Sequence, residues 1–389
     1  MTEDKRRNPV LASLLLLLVV ALWSLPFLRV APNRLVSGQA VYFSSIVPGA
    51  LWLLLAMLCV VVLTTIVYPR RAWLWLAIAV SAALMPCLLW LAANHANLTA
   101  QGAASISRTS FGSSFWLSVV LLGFMASTAL QQLRATAMQR AAVGAAVLLA
   151  LAALLASGWC GDLSLIMEYN NRADDFGQVL ARHMQIVLLS LVLTVCIGLP
   201  LGWFAHTRAK AGRALLPVLN IIQTIPSIAL FGLLMAPLAL LAANLPALGQ
   251  AGISGVGFAP SVIALTLYGL LPVVRSVLAG LQQVSAPMRS AATALGLTAW
   301  QVLVYIELPL ALPILLGGLR TAAVACVGLA AVTALIGAGG LGSILFEGLF
   351  SNAQDLVLLG VLPIIALGVM TDALFSLLIG LARKRVQPC

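Results

Sequence analysis

Apolar residues run in long blocks through this 389-residue chain, separated by short polar segments. About 20 consecutive apolar residues cross the hydrocarbon core of a bilayer, so blocks of that length predict spanning helices. They lie near residues 10–28, 46–67, 72–93, 115–130, 141–157, 182–205, 214–243, 259–280, 311–336 and 356–382. The pattern predicts an all-α polytopic integral membrane protein with about ten transmembrane helices. Residues 158–181 form the most polar long stretch between blocks and divide the chain. The expected parts are an accessory five-helix membrane region at 1–157, an extracytoplasmic polar linker at 158–181, a second membrane domain at 182–382, and a tail at 383–389. The loop at 94–114, rich in Ser, Asn, Thr and Gly, reads as a solvated turn.

Composition fits this reading: 62% of residues are hydrophobic and 8% charged, against about 25% charged in a soluble domain. The net charge of +11 does not point to nucleic acid, because its distribution follows the bilayer. Lys5, Arg6 and Arg7, Arg70 and Arg71, Arg134 and Arg140, Arg208, Lys210 and Arg213, Arg289, and Arg383, Lys384 and Arg385 all fall on one side if the spans alternate. The opposite side holds Arg29, Arg34, Arg108, Arg172 and Arg182, diluted by acidic residues such as Asp162, Glu168, Asp174 and Asp175. This positive-inside bias predicts cytoplasmic N and C termini. The basic start and leucine-rich first block also suit a signal peptide. Ser24 to Phe27 makes a poor small-residue cleavage site, so an uncleaved span is expected.

Prolines punctuate the second half, among them Pro200, Pro217, Pro226, Pro237, Pro272, Pro309, Pro313 and Pro363. A proline in a span frees a carbonyl that needs a neighbour or a water-lined cavity, and broken helices of this kind build transport pathways. The six cysteines and three histidines are scattered without metal-ligand spacing, so no metal site is assigned. Gly337 to Gly342 matches G-x-G-x-x-G, but no strand–helix alternation surrounds it, and it reads as a tight re-entrant turn. No lysine follows glycine and precedes Ser or Thr, so the chain carries no phosphate-binding P-loop.

After the eighth block, residues 285–309 are too polar to span. Pro287 suits a first helical turn, Gly296 a C-terminal stop, and Thr298 with Gln301 the start of a second helix by a capping box. This stretch resembles the signature loop of ABC-importer permeases, E-A-A-x3-G-x9-I-x-L-P. Ala291, Ala292, Gly296, Ile306, Leu308 and Pro309 stand at matching positions, and Ser290 stands where the family usually has Glu. The resemblance implies a loop that docks on an ATPase subunit and carries its motion into the membrane; without the acid, the strength of that contact is in question. Segments 220–230, 267–275, 308–313 and 334–342 look like those of the osmoprotectant (betaine/carnitine/choline) permease group. The five-span first half, with its 31–35 loop, is similar to that of the long permease in an enterobacterial glycine betaine uptake system.

The resemblance implies a bacterial inner-membrane permease that is not an enzyme and binds no cofactor, with ATP and Mg on a partner subunit. Its implied partners are ATPase subunits, a second permease and a periplasmic binding protein. Among importers, methionine, phosphonate or sulfonate permeases are the alternative substrates. A zwitterion is poorly soluble in hydrocarbon, so its path must be polar or aromatic. Gln223, Thr224, Ser227 and Tyr268 are the lining candidates, with helix–helix hydrogen bonding as their other use. Arg320 and Asp372 lie at similar depth in the last two blocks and are expected to pair, since charges inside a bilayer pair or snorkel. An ion-coupled secondary transporter would want intramembrane acids, of which Asp372 is the clear one.

Overall fold

The computed structural model describes the backbone of residues 9–386, apart from 34, 35, 37, 47, 48, 68, 69, 103–106 and 251. Lys5, Arg6, Arg7, Arg34 and the end of the tail, 387–389, lie outside the described residues. The chain divides into two compact units, Met1–Asn171 and Arg172–Cys389.

In the first unit α1 (Pro9–Ser24) leads into strands β1 (Pro26–Ala31) and β2 (Gln39–Tyr42). Then follow α2 (Phe43–Ile46), α3 (Gly49–Val67), α4 (Arg71–Gly102), β3 (Arg108–Phe111), α5 (Ser113–Gln132), α6 (Ala137–Ala156) and α7 (Ser164–Asn170). The three strands form an antiparallel sheet in the order β2-β1-β3, a small addition to the helical fold expected from the sequence. Pro26 stops the first helix after 16 residues, and a backbone that leaves a helix must find other partners for its polar groups. The expectation for the 94–114 segment is corrected: α4 runs on through Gly102, and β3 brings Thr109 into the interior, where its hydroxyl lies 3.2 Å from that of Thr99. Phe27, at the centre of an aromatic cluster, meets Phe43 at 5.1 Å and Phe115 at 5.8 Å between ring centroids. Gly112 is required at this corner, because a Cβ there would run into the carbonyl of Pro26.

The second unit begins with α8 (Ala173–Thr207), so the last residues of the expected linker are already helical, as is α7 within it. Next come α9 (Ala209–Thr224), α10 (Ser227–Asn244), α11 (Pro246–Gln250) and α12 (Phe258–Gln282). The expected single span at 214–243 is two helices. Pro226 has no N–H and disfavours helical backbone in the residue before it, and Ile225 accordingly takes φ −68° and ψ 126°. After α12 follow α13 (Ala286–Ala294), α14 (Ala299–Val302), a π-helical turn (Leu303–Glu307), α15 (Leu308–Val332), a 3-10 turn (Thr333–Ile336), α16 (Leu341–Phe350) and α17 (Gln354–Val386). Residues 383–386, expected as tail, continue α17.

The middle of this unit is α12, packed between α8 and α15 with most of its length buried. Small residues let these helices approach, as membrane interfaces require. A Cβ on Gly202 would come within 2.6 Å of Val277, and one on Gly280 within 2.9 Å of Ala311. Buried hydroxyls bond to backbone rather than remain open. Thr194 donates to Ser190 O at 2.7 Å and Thr266 to Val262 O at 2.7 Å.

Among the described residues eight helices are long and apolar enough to cross a membrane, three in the first unit and five in the second. In addition, α1 covers the first expected block and the 19-residue α3 the second. Residues 337–340 form a turn, with positive φ at Gly337, Gly339 and Gly340, and Gly342 already lies in α16.

Candidate functional site

The segment between α12 and α15 is a helical hairpin built from local signals. Ser285 precedes α13 with Pro287 in its first turn. The helix stops at Leu295, and Gly296 takes φ +83°, a left-handed conformation that a side chain resists. Thr298 then caps α14: its Oγ1 accepts from Gln301 N at 3.3 Å, while its own N–H donates to Gln301 Oε1 at 2.8 Å. The helix α14 runs through the π turn into α15 without a break, so the hairpin's second arm is the lower end of a spanning helix. Any displacement of α14 is thereby applied to α15 directly.

The hairpin presents an apolar face. Leu295 is 83% exposed, Trp300 69% and Tyr305 69%. Leu295 lies outside the spanning helices, while Trp300 and Tyr305 stand at the start of the α14–α15 span. Of the motif positions, Ser290, Ala291 and Gly296 are exposed, Ala292 is buried beneath α13, and Ile306, Leu308 and Pro309 surround the entry to α15. Nothing lies within 4 Å of a Cβ placed on Gly296, so within this chain the glycine is needed for its φ alone.

A charged brace that the sequence reading did not find holds the hairpin. Arg289 Nε lies 2.6 Å from Glu307 Oε1. Its Nη2 donates to Leu281 O at 2.9 Å and stands 3.3 Å from His206 Nε2. Glu307 is 9% exposed, and a buried carboxylate requires such a partner. One arginine thus ties α13 to the end of α12, to the end of α8 and to the π turn. The two residues are 18 positions apart on different helices, a separation that periodicity does not join.

The candidates for the pathway gather at the α9–α10 break, three of them bonded to backbone carbonyls. Gln223 Nε2 donates to Tyr268 O at 2.8 Å, and the Tyr268 hydroxyl donates to Ile225 O, one of the carbonyls at the break. Thr224 donates to Ile221 O at 2.7 Å within its own helix. Ser227 begins α10 and is half-buried. In the last two spans Arg320 Nε lies 2.6 Å and Nη2 2.7 Å from the two oxygens of Asp372, a bidentate pair of the strong, planar kind that guanidinium makes with carboxylate.

Fold and site together define a polytopic helical membrane protein with a short helical hairpin between two of its spanning helices. Residues 195–384 match the family model described as "Binding-protein-dependent transport system inner membrane component", and residues 6–166 match "ABC transporter permease YehY, N-terminal domain". Over 191 residues, 49% of this chain and 84% of the relative, the chain is 38% identical to the osmoprotectant import permease protein OsmW of Salmonella typhimurium. It is 32% identical over 207 residues, 53% of this chain and 86% of the relative, to the glycine betaine/carnitine/choline transport system permease protein OpuCB of Bacillus subtilis. A chain of the inward-facing methionine ABC transporter MetNI superposes on 53% of this one with a TM-score of 0.46 and 22% identity. The chain belongs to the binding-protein-dependent inner-membrane components: it is a permease subunit of an ABC importer, working with an ATPase and a substrate-binding protein.

Proposed function

We propose that this permease carries small osmoprotectants, glycine betaine or a related quaternary ammonium zwitterion, across the inner membrane. The second unit, with hairpin 285–309 on the cytoplasmic side, is the transport core; the first is accessory. The permease pairs with a second permease subunit, and ATP with Mg is bound and hydrolysed on the ATPase. Closing of the ATPases moves the hairpin, and the unbroken α14–α15 connection turns that motion into a switch between outward and inward openings.

The observation that carries the reading is the hairpin: matched residues at motif spacing, a left-handed Gly296, and an apolar face with Leu295 and Trp300 exposed. The substrate class rests on relatives named for osmoprotectants, glycine betaine, carnitine and choline. The acid that an ion-coupled carrier would titrate, Asp372, is committed to Arg320. In proteoliposomes containing the full complex and binding protein, glycine betaine uptake is expected to require ATP and to proceed with no ion gradient. Uptake driven by a Na⁺ or proton gradient without ATP would refute the reading.

A further inference from the structure

Of the arginines in or beside the spans of the second unit, Arg320 pairs with Asp372 and Arg289 with Glu307, while Arg182 donates to the carbonyl of Ala338 and stacks on Phe258. Among the described residues Arg275 has no carboxylate, and its side-chain partner is neutral Asn220, whose Oδ1 accepts from Nη2 at 2.7 Å. Arg275 is the charged residue of α12, the central helix, and sits about 10 Å inside the helix end at Gln282, at about 1.5 Å per residue. Its neighbours Val273, Val274, Ser276 and Val277 are buried, while Arg275 is exposed.

An uncompensated guanidinium is costly against lipid unless its head snorkels to the interface; the polar residues beside Arg275 favour a face that meets water or a charged partner. The same face is polar elsewhere. Asn220, Gln223 and Thr224 recur at helical spacing on α9, and Tyr268 lies two turns from Arg275 on α12. Asn220–Arg275 and Gln223–Tyr268 form two rungs between these helices, next to the Ile225–Pro226 break. Asn220 holds one edge of the guanidinium and leaves the remaining donors available. A guanidinium held along one edge, with open donors on the other, recognises a carboxylate in bidentate fashion.

We infer that Arg275, positioned by Asn220, is a solute-binding residue of the translocation path and holds the carboxylate of the zwitterion. The inference rests on the osmoprotectant reading and adds a selectivity element within the membrane: a solute with both a quaternary ammonium and a carboxylate is engaged there, and a quaternary ammonium alcohol is not.

The test uses the complete importer with its binding protein in proteoliposomes, with radiolabelled glycine betaine and choline as probes. Choline keeps the quaternary ammonium and has a hydroxyl in place of the carboxylate. Arg275→Gln is expected to cut glycine betaine uptake at least tenfold and choline uptake less than threefold, and Arg275→Lys, which keeps the charge but loses the fork, to leave glycine betaine uptake between wild type and Gln. Where the wild type carries glycine betaine alone, the contrast between Lys and Gln decides. Equal loss for both probes, no loss for either, or a failure of Lys to rescue overturns the inference. So does loss of the assembled complex on size exclusion in Arg275→Gln, which would assign the arginine to an acid of a partner subunit. A wild-type complex that carries neither probe refutes the osmoprotectant reading and this inference with it.

Discussion

The two units are made from the same kind of residue and put to different use. Much of the first gathers on one large core, in which Leu11, Leu18, Phe27, Phe43, Leu58 and Leu122 are fully buried beside a small sheet, while α6 buries none of its spanning part. Some of the first unit's polar side chains are engaged within that unit, as with Thr99 and Thr109 or Asn97 and the carbonyl of Trp159. The second splits its apolar core into several smaller clusters around α12 and leaves helices broken, arginines half-exposed and a hairpin open. The proposed division of labour accounts for the difference: a unit that changes state keeps interfaces with two arrangements, and so carries small residues, prolines and ion pairs at helix contacts.

The largest expected effect tests whether the open hairpin is the moving part. Gly296→Val is expected to reduce ATP-driven uptake at least tenfold, with insertion retained, because a β-branched residue is strained at φ +83° and its side chain fills the docking face. Gly296→Asn, which tolerates left-handed backbone, is expected to lose several-fold less. Equal losses for Val and Asn would put the need in the space around the residue and not in its φ.

A smaller loss, about fivefold in assembled complex, is expected from Arg320→Asp or Asp372→Arg alone, since each leaves like charges facing one another. The double swap is expected to recover at least half of the complex, measured by size exclusion in detergent. No recovery, with both single changes harmful, would count against pairing as the reason for these residues.

Glu307→Gln removes the charge opposite Arg289 and keeps the shape of the brace. We expect uptake to fall about threefold while ATPase subunits still bind, because the hairpin remains but is held less firmly. Uptake and ATPase binding falling together would make the brace part of the docking surface itself.

Removal of the first unit is expected to have the least effect on coupling. A chain beginning near Arg172, if it inserts, should recruit ATPase within twofold of the full chain, by co-purification. Stable insertion without recruitment would end the division into core and accessory parts. Orientation is checked separately with single cysteines in a cysteine-free background: at Asn170 an impermeant maleimide should label intact cells, and at Leu295 it should not.

The second unit's site was legible where its signals are local. Pro287, Gly296, Thr298 and Gln301 act through backbone a few residues away, and the hairpin they form in the sequence is the hairpin in the structure. Arg320 and Asp372 could be matched because depth in a membrane span is a linear coordinate. The brace from Arg289 to Glu307 and the rung from Arg275 to Asn220 could not, since each joins different helices and depends on how those helices rotate against one another. Gln223 and Tyr268 were found as polar residues, but their bonds to backbone at the Ile225–Pro226 break depend on α12 packing beside it.

By itself, then, the sequence determined that the chain lies in a membrane, where most of its helices begin and end, and that a short helical hairpin stands between two spans. Long apolar runs, prolines, glycines and caps act over a single turn or a single span. Only the tertiary structure decided that the first connection forms a sheet, that α14 and α15 are one continuous lever, and which charges are paired and which is left open. Those outcomes depend on distances between helices that are far apart along the chain, and hydrophobic periodicity carries no information about them.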